Sequence, residues 1–215
     1  MNAAEFKSLV LESDNIVFFG GAGTSTESGI PDFRSAEGLY QTSVGGKYAP
    51  EEILSRDFFY SHPEEFYEFY KKKMIYPEAK PNPAHLALAE LEKQGRLKAV
   101  ITQNIDGLHQ AAGSVNVLEL HGSIHRNFCV DCHAFYPLEH ILTGDSLVPR
   151  CSRCGGIVKP DVVLYQESLD FALLSQAAEY IRQADVLIVA GTSLTVQPAA
   201  SLVRYYTGHK WILIN

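Results

Sequence analysis

Asn15-Ile16-Val17-Phe18-Phe19-Gly20-Gly21-Ala22-Gly23-Thr24-Ser25 is the stretch whose reading decides the fold. Residues 15–19 form a short apolar run, which reads as a strand buried on both faces. The glycines follow at once, and without side chains they let backbone N–H groups approach a phosphate, as in dinucleotide-binding folds. Taken alone, the stretch leaves open a surface loop with a helix cap. It lacks the third glycine of the usual fingerprint, and no acidic residue stands about twenty positions on at the end of a second strand.

Upstream, residues 3–12 space Phe6, Leu9 and Val10 on one helical face. Downstream, residues 49–94 have a helical pattern rich in aromatics, broken by a turn region at 77–83, and read as an insertion into the sheet. Apolar runs of strand length recur at 97–102, 115–120, 186–190 and 211–214, and helical patterns at 171–183 and 196–206 alternate with the last two. That is the βαβ rhythm of a parallel sheet covered on both faces. The expected class is α/β, a Rossmann-type parallel sheet with helices on both faces plus a small lobe. Residues 1–40, 97–124 and 160–215 are assigned to the sheet domain, 41–96 to a helical insertion of the small lobe, and 125–159 to a zinc-binding module.

With 215 residues and 46% hydrophobic composition, the chain can bury one sizeable core. Its formal charge of −7 suits a cationic protein segment better than duplex nucleic acid, which needs clustered cations. No leader pattern and no apolar run near the roughly 18 residues of a membrane span are present, so a cytoplasmic monomer with neither nucleic-acid nor membrane partners is expected.

All four cysteines fall in two pairs, Cys129-Val-Asp-Cys132 and Cys151-Ser-Arg-Cys154, with 18 residues between them. Each pair can place two thiolates on one tight turn, which is ribbon-type zinc spacing. Four thiolates complete a tetrahedron and leave no position for a reacting water, so the expected ion is structural.

Residues 21–35 combine a glycine turn, hydroxyls, Phe33 and Arg34, a set able to bind a pyrophosphate and cover a reactive sugar. Gln103, Asn104, Ile105 and Asp106 follow a buried strand and so emerge at the sheet's carboxyl edge, although turn formation accounts for Asn104, Asp106 and Gly107 as cheaply. His121 ends another strand with a near-neutral reference pKa fit for a general base; a structural histidine is the commoner case.

It is the combination that resembles the sirtuin (Sir2) family. The residues that carry it are Gly21-Ala22-Gly23-Thr24-Ser25 through Arg34-Ser35, Thr102-Gln103-Asn104-Ile105-Asp106-Gly107-Leu108, Glu119-Leu120-His121-Gly122-Ser123, the two cysteine pairs, Gly191-Thr192-Ser193-Leu194, and Ile214-Asn215. The resemblance implies an NAD-dependent protein-lysine deacetylase in which NAD is consumed: the acetyl group passes to ADP-ribose, releasing nicotinamide, O-acetyl-ADP-ribose and free lysine. It implies that Ala22, Thr26, Arg34, Gln103, Gly191, Thr192, Ser193 and Asn215 hold NAD, with Phe33, Ile105 and Asp106 at the nicotinamide, Asn104 near the reacting ribose and His121 as base. The acetylated-lysine peptide would bind as an added strand, its side chain in a tunnel lined by Val162, Leu164 and Val196. A mono-ADP-ribosyltransferase and a non-catalytic NAD-binding module are the competing readings.

Three departures from the family pattern are visible. Gln166-Glu167 stands where many relatives have Gly-Glu, a change bearing on the peptide loop. Tyr67-Glu68-Phe69-Tyr70 lacks the arginine that pairs with acidic acyl groups, which favours acetyl over succinyl. Relatives also continue past the strand at 211–214 with an adenine-contacting loop and a closing helix, so an incomplete adenine side is expected.

Overall fold

The computed structural model describes residues 3–33, 48–144 and 146–215. In chain order the elements begin with α1 (Ala3–Leu11), β1 (Ile16–Gly20), α2 (Pro50–Ile53), α3 (Arg56–Ser61), α4 (Pro63–Lys73) and α5 (Pro83–Lys93). They continue with β2 (Leu97–Thr102), α6 (Leu108–Ala111), β3 (Val117–Glu119), β4 (Gly122–Cys129), β5 (Phe135–Tyr136), α7 (Leu138–Thr143), β6 (Val158–Val162), α8 (Phe171–Gln183), β7 (Val186–Ala190) and β8 (Lys210–Ile214).

Five strands form one sheet in the order β3-β2-β1-β7-β8, every neighbour parallel. Every residue of β1 is buried, because side chains alternate between two covered faces. Val17 and Phe19 pack with Ala99, Ile101, Ala177, Ile181 and Leu202 on the α8 side. Ile16 and Phe18 pack with Val10, Leu88, Val100 and Ile188 on the side of α1 and α5. The expected Rossmann-type sheet with helices on both faces is therefore present.

Two elements differ from the sequence reading. The helix expected at 196–206 is a 3₁₀ helix over Ala199–Tyr205. The Pro198 carbonyl accepts Ser201 N–H at 3.0 Å, the tighter i to i+3 spacing. The strand expected at 115–120 is only Val117–Glu119. The Glu92 carboxylate takes the N–H groups of Val115 (2.9 Å) and Asn116 (2.7 Å), so the chain before β3 is tied to α5.

A second, antiparallel sheet runs β5-β4-β6. Its inner side chains, including Ile124, Tyr136, Val158 and Val162, share one core with Phe58, Phe59, Phe66, Tyr67, Phe69 and Tyr70 of α3 and α4. The cysteine segment and the helical segment are thus a single packed lobe, whereas α5 lies on the parallel sheet through Leu88. Arg126 on β4 joins the two sheets by pairing with Glu119 (2.6 Å) and Asp161 (2.8 Å).

The passage from β3 into β4 turns at Gly122, with φ of +77°. A Cβ there would lie 1.8 Å from the Asp161 backbone oxygen, so only glycine lets β4 cross β6 at this point. Gly122→Ala is expected to destabilise the fold by about 2–4 kcal/mol, lowering the thermal midpoint by roughly 5–15 °C in calorimetry.

Candidate active site

The carboxyl ends of β1, β2 and β7 meet the small lobe around a cleft of about 610 Å³. Its floor depends on a close backbone approach. Gly23 N–H donates to Gly191 O at 2.8 Å and Gly21 N–H to Ala190 O at 3.2 Å. Gly191 has φ of +60°, and a Cβ on it would lie 2.3 Å from Thr24 N. Neighbouring Gln103 N–H donates to Gly20 O (3.0 Å), and its side-chain amide donates to Thr192 Oγ1 (3.0 Å). These bonds hold three strand ends at one level.

Above this floor lies a buried polar chain with a consistent direction. Asn82 N–H donates to His85 Nδ1 at 3.3 Å, which leaves the ring proton on Nε2, 3.5 Å from Ser25 Oγ. Ser25 accepts from Asn104 Nδ2 (3.0 Å) and donates to Asp106 Oδ2 (2.7 Å). The other Asp106 oxygen accepts Leu108 N–H at 2.9 Å. Asn104 and Asp106 therefore have fixed positions on the cleft wall. Burial lowers the His85 pKa, partly opposed by Asp106, and burial followed by His85 pushes the neighbouring His109 down to about 3. Both rings are neutral at pH 7.

His121 lines the cleft with Nδ1 3.0 Å from Gln103 O. A carbonyl only accepts, so Nδ1 carries the proton and Nε2 keeps a free lone pair. Burial lowers its pKa, with the bond to Gln103 opposing, which favours the neutral, basic form.

The structure brings Ala22, Phe33, Gln103, Asn104, Ile105, Asp106, His121, Val162, Leu164, Gly191, Thr192, Ser193, Val196 and Asn215 to this one cleft. Thr26 does not line it; its exposed hydroxyl donates to Gly23 O at 3.0 Å, closing the glycine turn. Arg34 lies outside the described residues. Sequence reasoning did not single out Ser25 as a site residue. Its partners are 79 and 81 positions away, and only its place in the glycine loop hinted at it.

Away from the cleft, the four sulfurs of Cys129, Cys132, Cys151 and Cys154 lie within 4.8 Å of one another. With zinc–sulfur bonds of about 2.3 Å, tetrahedral sulfurs stand roughly 3.8 Å apart, so the four could hold a zinc ion with little movement. The Tyr136 hydroxyl donates to Cys151 Sγ at 3.1 Å and, together with the Arg153 and Cys154 N–H groups and Cys132, lowers the Cys151 pKa to about 6 against burial, while the sulfurs beside Cys154 raise its pKa to about 12, so the metal-free cluster shares its protons unevenly.

The Sir2 family profile matches residues 21–198. An NAD-dependent protein deacetylase of Clostridium acetobutylicum is 59% identical over 211 residues, covering 98% of this chain and 86% of that protein. One of Clostridium tetani is 61% identical over 209 residues, covering 97% and 85%. Among solved structures, a Sir2 complex with a p53 peptide and NAD⁺ is 44% identical with a TM-score of 0.86, covering 100% of this chain and 87% of that one. A Sir2 variant with a deacetylated p53 peptide and 3′-O-acetyl ADP ribose is 43% identical with a TM-score of 0.90, again covering 100% and 87%. With the glycine-closed floor, the amide and carboxylate wall and the four-cysteine lobe all in place, the chain belongs to the Sir2 family.

Proposed function

We propose that this chain is an NAD-dependent protein-lysine deacetylase. The observation that carries the reading is His121, neutral and held by Gln103 O, with its free Nε2 in the same cleft as Asn104 and Asp106. NAD would lie along the Ala22, Gln103, Gly191, Thr192, Ser193 and Asn215 floor, with Thr26 closing the glycine turn. Its nicotinamide would sit against Phe33, Ile105 and Asp106. Val162, Leu164 and Val196 would receive an acetyl-lysine side chain, and their apolar character favours acetyl over a charged acyl group.

An amide oxygen is a weak nucleophile, so the acyl transfer needs a cationic leaving group, exclusion of water and close positioning. NAD⁺ supplies the leaving group as nicotinamide departs. The acetyl oxygen attaches to the ribose carbon that nicotinamide leaves. His121 Nε2 then takes the proton of a ribose hydroxyl, which attacks the acyl carbon. Water completes the exchange, giving lysine and O-acetyl-ADP-ribose. Asn104 and Asp106, fixed through Ser25, orient the reacting ribose and the amide of the nicotinamide. We read the enzyme as a cytoplasmic monomer acting on lysine-rich segments, which its charge of −7 supports.

An acetyl-lysine peptide incubated with and without NAD⁺ should yield deacetylated peptide and nicotinamide in equal amounts by mass spectrometry, only when NAD⁺ is present. Nicotinamide without deacetylation would favour ADP-ribosyl transfer instead. His121→Ala should lower turnover by about 10²–10⁴-fold while NAD binding persists. Activity requires the unprotonated ring, and the folded pKa lies below 6.5. The acid limb of kcat/KM should therefore have its midpoint below pH 6.5, with rate lost as pH falls through it.

The four cysteines would hold one structural zinc per chain. Chelation or Cys151→Ser should remove it, as read by metal analysis, and lower the melting midpoint by roughly 10 °C, a loss of about 3–4 kcal/mol. Because Val162 and Leu164 belong to the same core as Cys129 and Cys151, peptide KM should rise with metal loss.

A further inference from the structure

At the rim of the cleft, Gln166 has φ of +73°, a conformation that favours glycine. It belongs to the segment 162–167, every residue of which lines the cleft. Its side-chain Oε1 accepts Asp57 N–H at 3.0 Å. Asp57 is in the first turn of α3, whose N–H groups lack partners within the helix. Ser55, the residue before α3, already accepts Phe58 N–H through Oγ at 3.3 Å, so Gln166 supplies a second cap from 109 positions away.

The backbone beside it is bound to the same turn. Tyr165 N–H donates to Leu54 O and Arg56 N–H to Tyr165 O, each at 2.9 Å. On the next residue, Glu167 Oε2 accepts Leu164 N–H at 2.8 Å and pairs with Lys159 Nζ at 3.1 Å. The segment is thus fastened to α3 on one side and to β6 on the other, and Gln166 provides a side-chain hydrogen bond to α3.

We propose that Gln166 is a positioning residue for the peptide substrate: by capping α3 it holds the 162–167 segment in its binding shape before the peptide arrives. The inference rests on the deacetylase reading, in which this segment receives the acetyl-lysine peptide. A segment already ordered loses less conformational freedom on binding, so the cap strengthens peptide affinity without touching NAD. A residue that merely stabilised the fold would change melting and leave the ratio of the two affinities alone.

Two variants of the full chain separate these outcomes. Asn at this position tolerates positive φ and keeps the amide, but is one methylene too short to reach Asp57. Glu keeps both the length and the acceptor oxygen. The probe is a fluorescein-labelled acetyl-lysine peptide, with binding read by anisotropy, NAD⁺ affinity by calorimetry and Asp57 N–H protection by hydrogen exchange. Q166N should weaken peptide binding about fivefold, the scale of one lost neutral hydrogen bond, with NAD⁺ affinity unchanged and Asp57 exchanging faster. Q166E should match the wild type in all three. Wild-type peptide affinity in Q166N, an equal loss of NAD⁺ affinity, or unchanged Asp57 protection would overturn the proposal. Failure of the deacetylase reading has a different signature: the unsubstituted chain would itself bind no acetyl-lysine peptide, which overturns both.

Discussion

Between Gly23 and Gly191 the ends of two neighbouring strands come closer than any pair of side-chain-bearing residues allows. Gly23 Cα lies 2.9 Å from where a Cβ on Gly191 would be, and the backbone hydrogen bond that joins them is 2.8 Å long. The loop after β1 therefore lies flat against the turn after β7, with the Gly21 and Gly23 N–H groups bonded to Ala190 O and Gly191 O. Gln103 extends the same level to β2, through Gly20 O on one side and Thr192 Oγ1 on the other. The rest of the site hangs from that floor, because His121 takes its orientation from the Gln103 carbonyl.

Burial then determines the chemistry of the side chains above the floor. His85, His109 and His121 all have lowered pKa values, with desolvation the first cause in each case. Neutral rings can both donate and accept, which a chain of aligned hydrogen bonds requires and a set of imidazolium ions forbids. His85 uses this to hold Ser25 in line with Asp106, and His121 uses it to keep one nitrogen unprotonated. The same environment thus orders the wall and makes the base.

The small lobe forms the opposite wall by packing, not by chain proximity. Its core joins aromatic side chains of α3 and α4 to residues of β4, β5 and β6 that are about 60 to 100 positions away in sequence. Val162 and Leu164 are buried in that core and still line the cleft. In the folded chain Val158–Val162 alternates buried and half-buried positions, the period of a strand covered on one face. The cysteine spacing drew the reading of that stretch toward a metal turn, and the strands went unassigned.

The sequence by itself determined the parallel sheet, the cysteine cluster and most of the cleft lining. Continuous apolar runs leave few alternatives to a sheet covered on both faces, and glycine, histidine and cysteine have chemistry that survives any local context. It did not place Thr26, whose hydroxyl turns back to Gly23 O, nor give Ser25 its role, because hydroxyl partners are chosen by distance in space. It also read residues 196–206 as an ordinary helix, where the chain packed against α8 forms a 3₁₀ helix over Ala199–Tyr205. Only the tertiary structure decided which nitrogen of His121 is free and that Gln166 caps α3. Both depend on a single hydrogen bond between residues 18 and 109 positions apart, and no local pattern encodes such a bond.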